Sequence, residues 1–133
     1  MSARKVSNIL IVDDRPEGLI ALESILKDPG YRLITANSGR EALAQVLAHD
    51  FAVILMDVQM PGMDGYESTT RIRRLKHQNA SLPIVALTAN AMVGDSEKCF
   101  DAGMNDYVTK PINSDLLRGV IIKWAGTHLA AHP

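Results

Sequence analysis

Five short apolar runs punctuate the chain: "NILIV" (8–12), "RLITA" (32–36), "FAVILM" (51–56), "LPIVALT" (82–88) and "NDYVT" (105–109). They are rich in Ile, Val and Leu rather than strictly alternating, the pattern of strands covered on both faces. Amphipathic stretches lie between them. Leu19, Leu22, Ile25 and Leu26 share a helix face behind Pro16, which suits a first turn. Leu43, Val46 and Leu47 follow a start at Ser38-Gly39, and Tyr66, Ile72 and Leu75 mark a third helix. A fourth spans 91–102 and stops at Gly103, and a fifth, over 114–125, carries Leu116, Leu117, Val120, Ile121 and Trp124 behind Ser114 as N-cap. Strands and helices in strict alternation predict a parallel α/β sheet, and right-handed crossovers place helices on both its faces in a doubly wound layout.

With 133 residues and no repeat or low-complexity segment, the chain reads as one domain able to bury a core. A net charge of -1 gives no reason to expect nucleic acid or an anionic membrane as partner. The longest apolar run has six residues, 51–56, too few to cross a bilayer, and the apolar stretch after the mildly basic "MSARKV" is too short for a signal peptide and is interrupted by Asp13. One cysteine, Cys99, excludes an internal disulfide and a cysteine zinc site. These features favour the cytoplasm. The closing "GTHLAAHP" reads as a frayed end or the beginning of a linker.

Ligands of open α/β sheets sit beyond the carboxyl ends of the strands. Those ends offer Asp13 and Asp14, Asp57, Thr88, and Lys110 followed by Pro111; the second strand offers only Ala36, Asn37 and Ser38. Any one of these acids alone would be a solvated strand end or a helix cap. Together they crowd one edge, where two like charges about 4 Å apart repel by about 4 kcal/mol at an effective dielectric near 20. Either a carboxylate stays protonated or a cation holds them, and hard oxygen ligands suit Mg²⁺. Lys110 opposite such an ion would make a pocket for an anion arriving at Asp57.

"ILIVDD", "ILMDVQMPGMDGYE", "IVALTANA" and "NDYVTKPI", in this order over about 8–125, resemble the receiver domain of bacterial two-component response regulators. The resemblance implies a flavodoxin-like (βα)5 fold, strand order 2-1-3-4-5, as a receiver over 5–126 with 127–133 as tail or linker start. It implies that Asp57 accepts a phosphoryl group from a phosphohistidine, with Thr88 and Lys110 binding phosphoryl oxygens. Asp14 would hold Mg²⁺ (or Mn²⁺) directly, Asp13 largely through water, and Asp57 and the Gln59 carbonyl would complete the ligands. Thr88 and Tyr107 would form a switch acting on the face of the fourth helix, fifth strand and fifth helix. The Lys110–Pro111 bond would be cis, and the side chains of Gln59 and Asn90 would tune the lifetime of the acyl phosphate. The implied partners are a sensor histidine kinase or a histidine phosphotransfer domain, with no direct nucleic-acid binding, no membrane insertion, and a monomer or weak dimer through the switch face. The wording most resembles receivers of hybrid sensor kinases or phosphorelays, which accept and lose phosphoryl groups without turning over external substrates.

Other residues have plainer readings. Pro61, Gly62 and Gly65 of "MPGMDG" read as scaffold whose glycines permit unusual dihedrals. Cys99 reads as a buried thiol, His49 and His77 as exposed helix ends, and His128 and His132 as tail residues beyond a helix interrupted at Gly126. "RIRRLKH" (71–77) reads as a solvated basic face, and Trp124 as a core or docking residue. Among rivals, a flavin module needs an uncharged, glycine-rich loop where "DDRPEG" stands. A haloacid-dehalogenase phosphatase needs a second acid where Gln59 stands, and a binding-only adaptor would not need the full acidic set.

Overall fold

The structure, a computed structural model, describes residues 6–75, 81–89 and 93–130, the side chains of 93 and 126–130 excepted. Strands and helices alternate as β1 (Ser7–Val12), α1 (Pro16–Leu26), β2 (Tyr31–Ala36), α2 (Gly39–Ala48), β3 (Val53–Asp57), α3 (Gly65–Arg73), β4 (Ile84–Thr88), α4 (Val93–Ala102), β5 (Asp106–Thr109) and α5 (Ser114–Ala130). All pairings are parallel, and the strand order is β2-β1-β3-β4-β5. This is the doubly wound, flavodoxin-like order expected from the sequence.

The pleat explains why the strands are apolar throughout. Leu10, Val12, Ile54, Met56, Ile84 and Ala86 point to one face and pack with Ala42, Val46, Ile72 and Cys99 of α2, α3 and α4. Their neighbours Ile9, Ile11, Val53, Leu55, Val85 and Leu87 point the other way, against Leu22, Leu26, Leu117 and Ile121 of α1 and α5. Two cores result, and the central strands β3 and β4 are buried at every position.

Local chemistry sets the element ends. Pro16 opens α1, and Ser38 caps α2 by accepting the Glu41 N–H at 3.1 Å. Asp64 caps α3 in the same way through Glu67, at 2.8 Å. Gly103, at φ +105°, ends α4, with the Met104 N–H reaching back to the Cys99 carbonyl at 2.9 Å. Cys99 is buried, and its thiol, hydrogen-bonded to Tyr66, is pushed up by burial; Tyr66 is itself raised to about 12 by burial and the nearby thiol.

Several expectations need correction. Asn113, not Ser114, caps α5: its Oδ1 accepts the Leu116 N–H at 2.9 Å, and Ser114 is already in the helix. Gly126 does not interrupt α5, which continues to Ala130 because glycine weakens a helix without breaking it. The side chains of His128 and His132, and all of His77, lie outside the described residues. Leu47 is 70 % exposed, since it follows Val46 by 100° of turn and so leaves the face turned to the sheet. His49 is half-buried, its ring edge-on to Phe51 at 6.1 Å. The strand after "LP" begins at Ile84, beyond Pro83, whose carbonyl instead accepts the Ile54 N–H. Gly62 has the positive φ expected, +74°, but Gly65 does not. A Cβ at Gly65 would stand 2.5 Å from the Asp57 carbonyl oxygen, so there the glycine serves close approach of α3 to β3.

Candidate functional site

Register gathers the polar residues. Val12 pairs with Met56, so Asp13 and Asp57 leave adjacent strands at the same level. Asp57 pairs with Leu87, and Thr88 pairs with Thr109, which brings Thr88 and then Lys110 to the same edge. The ladder runs one step past the strands: the Val58 N–H donates to the Leu87 carbonyl at 3.1 Å and the Lys110 N–H to the Thr88 carbonyl at 2.8 Å.

Asp13, Asp14 and Asp57 each present a carboxylate oxygen within 4.8 Å of the others. Asp13 and Asp57 are 2 % and 3 % exposed, and Asp14 is half-buried. One oxygen of Asp13 accepts the Arg15 N–H at 2.9 Å; Asp57 Oδ1 accepts the Gln59 N–H at 3.1 Å and faces Lys110 Nζ at 3.5 Å. Burial raises the Asp57 carboxyl above its ordinary 3.8; the Gln59 N–H and Lys110 pull it back in part, and Asp13 pushes it further up. Thr88 is buried beside them. This is a desolvated anion cluster with too little protein charge to balance it. Its donors are hard oxygens, and opposite ligands of one Mg²⁺ lie about 4 Å apart at bond lengths near 2.1 Å, so the spacing fits a single divalent ion.

The remaining predicted residues fall as follows. The Lys110–Pro111 bond is cis. The Gln59 side chain is exposed, and Asn90 lies outside the described residues. Tyr107 is half-buried on β5, its ring edge-on to Phe100 of α4 at 6.3 Å. Two features escaped the sequence reading. Gly18, in the first turn of α1, lies directly against the Asp13 carboxylate. Beside Lys110, a cavity of about 240 Å³ runs between α1 and the 110–112 segment, lined by Ala21, Leu22, Ile25, Leu87, Pro111 and Ile112 among others. The signal for the first was a glycine inside an otherwise good helix, one turn past the paired aspartates. The second had none, because it forms between segments far apart in the chain.

The family model of the response regulator receiver domain matches residues 9–122. The chain is 40 % identical over 127 residues to the sensor histidine kinase GacS of Pseudomonas protegens, covering 94 % of this chain and 14 % of that protein. It is 37 % identical over 116 residues to the histidine-protein kinase BarA of Escherichia coli, covering 87 % of this chain and 12 % of that one. The chain thus spans about one-seventh of the length of these relatives. Among solved structures, the receiver domain of the sensor histidine kinase PA1611 of Pseudomonas aeruginosa, which has a magnesium ion coordinated in its active-site cleft, superposes with a TM-score of 0.83 at 38 % identity, over 91 % of this chain and 98 % of that one. The chemotaxis protein CheY4 of Vibrio cholerae superposes with a TM-score of 0.84 at 31 % identity, over 90 % and 98 %. The chain belongs to the response regulator receiver domain family of two-component signalling, and its relatives include receivers carried within sensor histidine kinases. Among the described residues, no helix is long and apolar enough to cross a membrane.

Proposed function

We propose that this chain accepts a phosphoryl group from a phosphohistidine onto Asp57 and so acts as a relay or switch in the cytoplasm, its donor a sensor kinase or a histidine phosphotransfer domain. The observation that carries the reading is the acidic trio of buried Asp13 and Asp57 with half-buried Asp14, with Lys110 Nζ 3.5 Å from the Asp57 carboxylate. Asp14, Asp57 and the Gln59 carbonyl would hold Mg²⁺ or Mn²⁺, with Asp13 acting through water. When bound, such an ion would, together with Lys110, balance the charge of the trio and would draw charge from the phosphoryl oxygens.

Phosphoryl transfer asks a protein chiefly to position groups and stabilise charge. An Asp57 oxygen attacks phosphorus as the P–N bond breaks, and the donor imidazole keeps the electron pair. Lys110 and the Thr88 hydroxyl bind two of the equatorial oxygens, and the Gln59 N–H, already directed at Asp57, serves the third. The groove flanked by Ala21, Ile25 and Pro111, with Arg15 and Glu17 at its edge, offers the donor a seat beside Lys110. Once Asp57 is modified, movement of Thr88 and Tyr107 would shift the face of α4, β5 and α5 between two packings, as far as the phosphoryl group interacts differently with each. The side chains of Gln59 and Asn90 would set how readily water reaches the acyl phosphate.

Incubation with acetyl phosphate and Mg²⁺, followed by intact mass, tests the reading. The wild type gains one phosphoryl adduct, while Asp57→Asn and the EDTA-treated wild type gain none. An unmodified wild type rejects the proposal, and steady release of phosphate from esters would favour a phosphatase instead.

A further inference from the structure

Gly18 sits in the first turn of α1, where glycine is a poor helix former and no positive φ demands it. A Cβ built there would overlap Asp13 Oδ2 outright and lie 2.9 Å from its Cγ and 3.3 Å from its Oδ1. Carbon and oxygen repel at such separations, and the carboxylate, the end of a side chain, would have to move. Its escape is limited: Asp13 is buried, its Oδ1 already accepts the Arg15 N–H, and carboxylate oxygens of Asp14 and Asp57 lie within 4.8 Å. Gly119 of α5 is the contrasting case, since a Cβ there meets nothing within 4 Å.

We infer that Gly18 is a positioning residue for the metal site: its missing side chain leaves the recess that the Asp13 carboxylate fills beside Asp14 and Asp57. A side chain at 18 displaces that carboxylate and so disturbs the arrangement of the three acids that would hold a divalent ion. This rests on the metal reading of the acidic trio given above.

The test compares Gly18→Ala with Gly119→Ala, measuring Mg²⁺ affinity by titration calorimetry and melting temperature in EDTA. The melting experiment is repeated for Gly18→Ala in an Asp13→Ala background. Gly18→Ala weakens Mg²⁺ binding about tenfold or more, the usual consequence of disturbing the groups that orient metal ligands, and lowers the melting temperature. In the Asp13→Ala background the same substitution raises it, as Gly119→Ala does in the wild type, because the recess is then free and alanine favours the helix. Unchanged Mg²⁺ affinity in Gly18→Ala, or a melting loss of equal size in both backgrounds, overturns the inference while leaving the metal reading intact. A wild type that binds no Mg²⁺ overturns both.

Discussion

The two ends of the sheet treat buried charge in opposite ways. At the amino end, the half-buried guanidinium of Arg73 is met by backbone and amide oxygens. Nε and Nη2 donate to the Gly103 carbonyl at 2.9 and 2.7 Å, Nη1 to the Leu82 carbonyl at 2.6 Å, and Nη2 to Asn105 Oδ1 at 2.8 Å. Asn105 Oδ1 also accepts the Ile84 N–H, so one cation ties α3 to the starts of β4 and β5. Burial lowers the Arg73 pKa, but a guanidinium is so strong a base that it stays charged. At the carboxyl end, Asp57 is more deeply buried, has one backbone donor and a lysine 3.5 Å away, and faces two further acids. Arg73 is met on all sides by the fold, whereas Asp57 has among the described residues only the Gln59 N–H and Lys110 to set against its burial. That difference fits a structural charge at one end and the proposed phosphoacceptor at the other.

The largest effect should come from removing the satisfied charge. Arg73→Ala strips the carbonyls of Gly103 and Leu82 of their donor and lowers stability by about 3 kcal/mol, read as a fall in the urea midpoint, with Mg²⁺ affinity unchanged. Removing the unsatisfied charge should do the reverse. Without metal, Asp57→Asn gains about 2 kcal/mol at neutral pH, because amide replaces a desolvated carboxylate. The pH dependence has a definite sign. The Asp57 pKa is raised in the folded state, so the stability that goes with its protonated form is fully present below its ordinary 3.8 and lost as pH rises through the folded value. The gap between Asp57→Asn and the wild type is therefore small in acid and opens as pH rises. Added Mg²⁺ narrows it again by stabilising the wild type.

A smaller test uses a buried polar group away from the acidic edge. Thr69 on α3 is fully buried, and among the described residues its Oγ1 has no hydrogen-bond partner. If unsatisfied groups raise the energy of the fold wherever they sit, Thr69→Val gains about 1 kcal/mol by thermal melting and leaves phosphorylation untouched. A loss of stability instead would show that the contrast between the two ends does not extend to neutral groups.

Strand positions and the residues at their carboxyl ends were legible because apolar runs and abrupt charges are local signals. What brought Asp13, Asp57 and Lys110 together was register, Val12 against Met56 and Thr88 against Thr109, which no single run encodes. The basic stretch 71–77 read as solvated, yet Arg73 is the clamp at the amino end; its partners Gly103 and Asn105 stand 30 and 32 residues away. The cap of α5 fell on Asn113 rather than Ser114 because both residues have capping side chains and only the backbone decides which one stands outside the first turn.

The two apolar cores and the Arg73 clamp all lie below the acidic edge, and none of them uses a carboxylate from it. Shape and reactivity are therefore held by different residues. If the proposed chemistry rests on the aspartates, a lineage can lose them in a few mutations and keep a foldable body with its outer helices in place.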